Sequence, residues 1–275
     1  MEQEETTWLP VPITVSLVVL GWVMVRLFPA EGPELSVWIL GSPLGIRLTP
    51  AFWIGIFGAL LAAAGTEALL RTHPRFPEES PWRLMGRWIT PMGVAVGGLV
   101  FTRSLPTGLA WLLELGLGGL GLALAMVGER YRVEVAGLRA TLVRLVHPAL
   151  GYLVALAAIG WGFQSGLRTL MLFGLGGGIA AALALARLAE AEIPERRRWL
   201  YVGLIGWSMG GVAAAFRYWT LPPVVLGLWW MLVLYELTEM SLWHLQGQRL
   251  SARVAVEFGG LGLLIAWLAR WLAAP

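Results

Sequence analysis

The sequence contains no cysteine, no lysine and no aspartate, and each absence excludes a class of chemistry. Without cysteine the chain cannot form a disulfide, a thiolate nucleophile or a cysteine-ligated metal site. Without lysine it cannot form a Schiff base or supply the lysine of a phosphate-binding loop. Without aspartate it cannot build Asp-rich metal sites or an aspartyl-phosphate. The charges are therefore 20 Arg and 17 Glu. No complete catalytic motif remains, so we predict a protein that is not an enzyme, with no catalytic residues, cofactor or metal site.

Charged residues are scarce and apolar residues abundant. Of the 275 residues, 57% are hydrophobic and 13% charged, and the mean hydropathy is +0.71. A soluble domain of this size needs far fewer apolar residues to fill one core. The composition therefore predicts a polytopic membrane protein in which residues 1–275 form a single integral membrane domain. We attribute the basic pI of about 9.8 to arginines at the membrane surface and predict no nucleic-acid binding.

Nine apolar runs approach the ~20 residues that a helix needs to cross a hydrocarbon layer of ~30 Å. They are residues 10–28, 50–70, 89–103, 107–127, 143–163, 168–189, 199–217, 221–241 and 254–273. The predicted fold is an all-α, polytopic transmembrane helical bundle. Residues 89–103 form a short run that either crosses at a tilt or inserts halfway, so eight spans are the fallback.

The positions of the arginines predict the orientation, because cytoplasmic loops are enriched in basic residues. With a cytoplasmic N-terminus, the inner loops hold 13 of the 20 arginines. These are Arg71, Arg75, Arg83, Arg87, Arg130, Arg132, Arg139, Arg144, Arg196, Arg197, Arg198, Arg249 and Arg253. We therefore expect a bacterial protein of the cytoplasmic (inner) membrane, with its N-terminus inside and its C-terminus outside.

The outer loop before the second span has the pattern of a small β-hairpin. Apolar residues alternate along Ser36–Leu48 on either side of a turn predicted at Gly41-Ser42-Pro43-Leu44-Gly45. The other outer loops are only a few residues long. With so little chain outside the membrane, any activity would have to lie within the bundle or at its inner face.

Ionisable residues inside the spans are the candidate functional residues. Each costs about 2.5 to 3.5 kcal/mol at the bilayer centre and is normally paired or faces a polar cavity. Counting along the helices at ~1.5 Å per residue places several at a similar depth near the cytoplasmic side. This candidate polar cluster comprises Glu67, Arg71, His147, Arg187, Glu236, Glu239 and Glu257. On the outer side we predict a pair between Glu114 and Arg217, with Arg26 and Arg103 as alternative partners.

The predicted polar cluster has two interpretations. In the first, these residues form interfacial salt bridges that hold the helices in register. In the second, they form a proton or cation path, or a polar pocket open to the cytoplasm. A metal site is a poor third interpretation, because the chain has three histidines and Glu236, Glu239 and His244 lack the spacing of a helical metal motif.

Glycines recur at four-residue spacing in two spans. The pairs are Gly174 with Gly178 and Gly206 with Gly210. Such pairs allow helix backbones to approach closely. The alternative is a glycine-softened helix that unwinds around a ligand, as in some transporters.

Three groups of motifs resemble those of a family of polytopic bacterial membrane proteins known only as a domain of unknown function. They are Gly65–Pro74, the turn Leu40–Leu44, and the late segment from Phe216-Arg217-Tyr218-Trp219 through Gly247–Leu250 to Val256-Glu257-Phe258. The resemblance covers nearly the whole chain and implies the same topology without an activity. The family pattern has an acidic residue near Gly211 and an Asn near Arg217. This chain departs at both, so the resemblance assigns no role to that span.

Two functions therefore remain. The first is a non-enzymatic structural or accessory component of a membrane complex, whose buried glutamates each have an arginine partner. The alternative is a small-solute or proton transporter that uses the inner carboxylates and leaves one of them unpaired. The expected partners are membrane lipids and other membrane proteins.

Overall fold

The computed structural model describes residues 8–28, 31–39, 42–73, 81–132, 138–191 and 193–247, together with Val256, Gly259, Gly260, Leu263 and Trp267. This part of the chain contains eight helices and two strands. In order they are α1 (Pro10–Val25), β1 (Glu34–Ile39), β2 (Ser42–Arg47), α2 (Pro50–Arg71), α3 (Pro81–Ser104), α4 (Leu109–Arg132), α5 (Leu138–Gln164), α6 (Thr169–Leu188), α7 (Glu195–Phe216) and α8 (Pro223–Leu245).

Six of the described helices are long and apolar enough to cross a membrane: α2, α3, α4, α6, α7 and α8. Helix α1 is also apolar but has 16 residues. The chain is therefore a membrane-embedded, predominantly helical protein, as its composition predicts. Nine crossings stay a prediction, because most of the run at residues 254–273 lies outside the described residues.

Helix α3 is longer than the apolar run at residues 89–103 that predicted it. It has 24 residues and begins at Pro81, so its first two turns carry Arg83 and Arg87. Those charges interrupt the apolar run without interrupting the helix, since arginine is a good helix former. Pro91 lies inside the helix.

Glu34–Ile39 and Ser42–Arg47 pair as the two strands of the predicted hairpin. The two strands are antiparallel, and the register runs from Glu34 opposite Arg47 to Ile39 opposite Ser42. Only residues 40 and 41 lie between the strands. Ser42 and Pro43, which were predicted in the turn, instead begin β2, where Pro43 is opposite Trp38. A proline is tolerated there because a two-stranded sheet has only edge strands. The outer location of the hairpin stays a prediction.

Contacts divide the chain into two compact units, Met1–Val154 and Ala155–Pro275. In the first unit, helices α1 to α4 pack around Trp22, which is 1% exposed. Its indole Nε1 donates to the carbonyl oxygen of Ala95 at 2.9 Å. A Cβ atom at Gly98 would collide with the Trp22 ring, so the absence of a side chain there allows α3 to pack against the indole. A single integral domain stays a prediction.

In the second unit, α6 and α7 pack backbone against backbone. A Cβ atom on Gly177 would lie 2.9 Å from the carbonyl oxygen of Gly206, and one on Gly210 would lie 2.7 Å from that of Phe173. Gly206 and Gly210 thus lie at a close helix contact, whereas Gly174 and Gly178 have no neighbouring atoms in the space a Cβ would occupy. The buried Trp230 joins α8 to α7, since its Nε1 donates to the carbonyl oxygen of Met209 at 3.1 Å.

Candidate functional site

The most buried charge in the described part of the first unit is Glu129, in the last turn of α4. Its side chain is 0% exposed. Arg132 Nη1 lies 2.9 Å and His147 Nε2 lies 2.6 Å from Glu129 Oε1. Arg87 Nη1 lies 3.3 Å from Oε2 and also donates to the Glu129 carbonyl oxygen at 3.2 Å. We refer to these four residues as the Glu129 cluster. Because Arg87 belongs to α3 and His147 to α5, the cluster joins three helices through one carboxylate.

The α4 sequence turns Glu129 inward by its helical spacing. The buried residues of this helix are Gly119, Leu122, Ala125, Met126, Gly128 and Glu129, which follow the three- and four-residue intervals of one helix face. Glu129 therefore lies on the same buried helix face as the apolar residues that precede it. A carboxylate on such a face must have compensating partners, because burying an unpaired charge is strongly unfavourable.

A second set of contacts lies beside the Glu129 cluster. Arg130 donates to the carbonyl oxygen of Leu69 at 3.3 Å and to the hydroxyl of Thr72. These acceptors belong to the last turn and C-cap of α2, whose final carbonyls have no partner within the helix. The Arg130 guanidinium also lies over the ring of Trp8, 4.7 Å from its centroid. The start of α1 and the ends of α2 and α4 are therefore held together at the end of the unit that carries the Glu129 cluster.

The opposite end of the first unit carries a smaller polar group. Arg26, the C-cap of α1, donates to the carbonyl oxygens of Thr102 and Leu105 at the end of α3. The Thr102 hydroxyl donates to Glu114 Oε2 at 2.7 Å. The Arg26 guanidinium lies 5.7 Å from the ring centroid of Trp111. Arg26 thus caps α3, and the Glu114 carboxylate interacts with both the Thr102 hydroxyl and the Arg26 charge.

In the second unit, Arg187 at the end of α6 binds Glu239 of α8. Arg187 Nε lies 2.7 Å from Oε1 and Nη2 lies 3.2 Å from Oε2, which is the two-pronged geometry that guanidinium and carboxylate favour. Glu190 Oε2 lies 3.7 Å from Arg187 Nη1. The Glu239 side chain is 12% exposed. The pair therefore fastens α8 to α6 with a carboxylate that is largely removed from solvent.

Within each unit, residues of the predicted polar cluster make local contacts, and one cluster of all seven residues stays a prediction. Glu67 and Arg71 pair with each other one turn apart on α2, with 2.9 Å between Arg71 Nε and Glu67 Oε1. His147 binds Glu129, and Arg187 binds Glu239.

Glu236 on α8 is partly buried and makes no hydrogen bond or ion pair with a described residue. Glu257 lies outside the described residues. On the predicted outer side, Glu114 accepts a hydrogen bond from Thr102 and interacts electrostatically with Arg26, one of the predicted alternative partners. Arg217 is the exposed C-cap of α7 in the second unit, so its pairing with Glu114 stays a prediction.

Sequence reasoning did not identify Glu129, Arg87 or Arg132 as site residues. Glu129 lies beyond the apolar run at residues 107–127 that predicts this helix, whereas α4 continues to Arg132. The signal was present in the spacing, because Glu129 lies seven residues after Leu122 on the buried face.

The chemistry of these groups is that of ion pairs. The two most buried carboxylates of the described residues, Glu129 and Glu239, accept from guanidinium groups. Among the described residues, no three His, Asp or Glu side chains come together where a metal ion could be held. The expectation of a chain without metal or cofactor stays a prediction.

Comparison with known proteins gives one result. A family model described as "Protein of unknown function (DUF5656)" matches residues 30–272, from the segment before the hairpin almost to the C-terminus. The match confirms the predicted resemblance to a family of unknown function. No curated protein and no solved structure matches the chain.

Proposed function

Since the chain belongs to the DUF5656 family of proteins of unknown function, and this membership assigns no activity, we propose a role from the ion pairs: a non-enzymatic structural or accessory component of a membrane complex. In this role the buried charges hold the helices at fixed positions and orientations. The rigid helical frame then supplies the surface that binds a partner protein, and the role involves no chemical step.

The observation that carries the proposal is the Glu129 cluster. A carboxylate that is 0% exposed and contacts two arginines and a histidine cannot easily exchange its protons or ions with solvent. A carrier needs a carboxylate that gains and loses its charge during the cycle, so it benefits from few permanent counter-charges. Two guanidinium groups lie against the Glu129 carboxylate as permanent counter-charges, which supports a structural role.

The Arg187–Glu239 pair supports the same interpretation in the second unit. Both oxygens of Glu239 accept from one guanidinium, so the carboxylate has no oxygen without a donor. Because the Arg187 side chain is 40% exposed, solvent screens the pair, and breaking it should cost less than the about 3 to 5 kcal/mol of a fully buried pair. The pair still constrains the position of α8 relative to α6.

One residue favours the alternative, a small-solute or proton transporter. Glu236 is partly buried on a helix long enough to cross a membrane, and it makes no hydrogen bond or ion pair with a described residue. A carboxylate in that setting is the type of group that carries protons or binds cations. It is the residue whose substitution separates the two functions.

The test reconstitutes the full-length protein into liposomes that contain a pH-sensitive dye and applies a pH gradient or a membrane potential. A structural or accessory protein should give the same proton flux as protein-free vesicles, and Glu236→Gln should leave both flux and thermal unfolding unchanged. In parallel, the protein extracted from its native membrane in mild detergent should migrate on a native gel as a larger assembly than the purified chain.

A proton or solute flux that requires the protein and disappears in Glu236→Gln would establish the transporter instead. Glu67→Gln is the matched control, since Glu67 is also a helical glutamate but pairs with Arg71. A flux lost equally in both variants would indicate general damage to the vesicles or the fold.

A further inference from the structure

The first turn of α7 is built around one buried arginine. Arg198 is 6% exposed and donates from Nη2 to the carbonyl oxygens of Ala191 and Ile193, both at 3.2 Å. These bonds fasten the segment before the helix to its first turn. Because successive helix residues are rotated by about 100°, the inward direction of Arg198 turns the two preceding arginines outward.

Arg196 and Arg197 are both exposed, and neither side chain makes a hydrogen bond or an ion pair with a described residue. The acidic residue of this turn is Glu195, which is also exposed. The exposed charges of this turn are therefore two guanidinium groups and one carboxylate. The turn presents a net positive charge to its surroundings, while the ion pairs of the neighbouring Arg187 are made internally with Glu190 and Glu239.

The residues that follow on α7 change from charged to aromatic to aliphatic. Trp199 is 38% exposed, and the ring of Tyr201 lies 6.2 Å from that of His244. Trp and Tyr side chains are enriched at the level of the lipid headgroups. Leu200 directly follows Trp199 and Leu204 lies about one turn beyond it, and these two side chains are 57% and 52% exposed. A surface that passes from guanidinium to indole to leucine along one helix matches a phospholipid from its headgroup to its acyl chains.

We propose that Arg196 and Arg197 bind the phosphate of anionic phospholipids, whose acyl chains lie along Leu200 and Leu204. The guanidinium groups supply the hydrogen bonds and charge that a phosphate requires. The adjoining apolar strip selects a lipid over a soluble phosphate. This site is independent of the proposed structural role, because an accessory protein could hold its helices together without distinguishing one lipid from another.

The test measures lipid binding to the purified full-length protein in a neutral detergent, from the rise of the thermal unfolding midpoint with lipid concentration. Phosphatidylglycerol, phosphatidylcholine with the same acyl chains and inorganic phosphate are compared. The Arg196→Gln/Arg197→Gln variant should bind phosphatidylglycerol about 30-fold more weakly than the wild type at low salt, since each basic residue near an anionic surface contributes about fivefold. Binding of phosphatidylcholine should be unchanged.

The matched control is Arg103→Gln/Arg217→Gln, which removes two exposed arginines elsewhere, one of them at the other end of α7. It should bind phosphatidylglycerol within about twofold of the wild type. Equal binding by the wild type and the Arg196→Gln/Arg197→Gln variant would overturn the proposal. An equal effect of inorganic phosphate would also overturn it, because the apolar strip would then have no role.

A second measurement does not depend on folding of the variant. In the wild type, raising the salt from about 50 mM to about 500 mM should weaken phosphatidylglycerol binding several-fold through screening of the guanidinium charges. Binding that is independent of salt would contradict a site made of two exposed arginines. The Arg196→Lys/Arg197→Lys variant should retain most of the binding, since it keeps both charges.

Discussion

At the scale of the residue, the Glu129 cluster converts a costly buried charge into a three-helix junction. One carboxylate contacts Arg87 of α3, Arg132 of its own helix and His147 of α5. Replacing a whole ion cluster by apolar residues can leave the stability of the protein unchanged. Removing one partner instead leaves the other charges buried without compensation. The free energy of unfolding should therefore fall most in variants that remove one charge of the cluster and keep the others.

Glu129→Gln should destabilise the protein by about 3 to 5 kcal/mol, because the amide keeps the shape of the side chain but gives Arg87 and Arg132 no negative charge. Glu67→Gln is the matched control. Its partner Arg71 is 67% exposed, and an exposed helical pair contributes about 0.3 to 0.5 kcal/mol. Thermal unfolding of both variants in the same detergent measures the difference. Similar midpoints for the two would show that the cluster is not a stabilising junction.

At the scale of the element, α6 and α7 are held together by a close contact of their backbones, beside the edge-to-face ring contact of Phe173 with Trp207. Gly177 and Gly206 face each other so closely that a Cβ on Gly206 would lie 3.0 Å from the Gly177 carbonyl oxygen and 2.9 Å from Ala181 Cβ. Close approach increases dispersion contacts, which drive helix association where the hydrophobic effect is absent. The other face of α7 has glycines too, and Gly203 has no atom within reach of a Cβ.

The two faces of α7 should respond to the same substitution with opposite signs. Gly206→Ala should lower the thermal unfolding midpoint, because the added methyl group separates the helices. Gly203→Ala should leave it unchanged or raise it, since alanine is favoured over glycine in a helix by about 0.5 to 1 kcal/mol and meets no neighbour. Unfolding curves of the two purified variants, recorded beside the wild type, provide the measurement. Equal destabilisation would mean that Gly206 does not lie at a close contact.

At the scale of the whole molecule, the absence of cysteine makes the predicted orientation directly testable. Single cysteines can replace Ser36 in the hairpin, Ser165 after α5 and Gln246 after α8, all of which are exposed. With the N-terminus inside, Ser36→Cys and Ser165→Cys should react with a membrane-impermeant maleimide applied to intact cells. Gln246→Cys should react only after the membrane is opened.

The reverse labelling pattern would establish the opposite orientation of the chain. Reaction of all three cysteines in intact cells would contradict an alternation of helices across the membrane. The cysteine-free wild type serves as the blank, so any labelling of it reports reagent bound elsewhere.

The sequence by itself determined the class of protein, its family resemblance and most helix positions. These follow from properties of single segments: an apolar run of ~20 residues satisfies the bilayer whichever helices lie beside it. The hydropathy pattern did not predict the first turns of α3 or the last turns of α4. It ends at Arg87 and at Glu129, whereas the helical backbone hydrogen bonds continue past these charges. The hairpin was predictable from alternation, but its turn depended on the pairing register.

Only the tertiary structure decided which charges meet. From the sequence, Glu67, His147, Arg187 and Glu239 have similar depths and could form one cluster. In the structure His147 binds Glu129, and Arg187 binds Glu239. Depth is a coordinate along a helix axis, which residue counting provides. Partnership also depends on the rotation of each helix and on which neighbours it packs against, and these are set by the contacts of Trp22 and of the Gly177–Gly206 crossing.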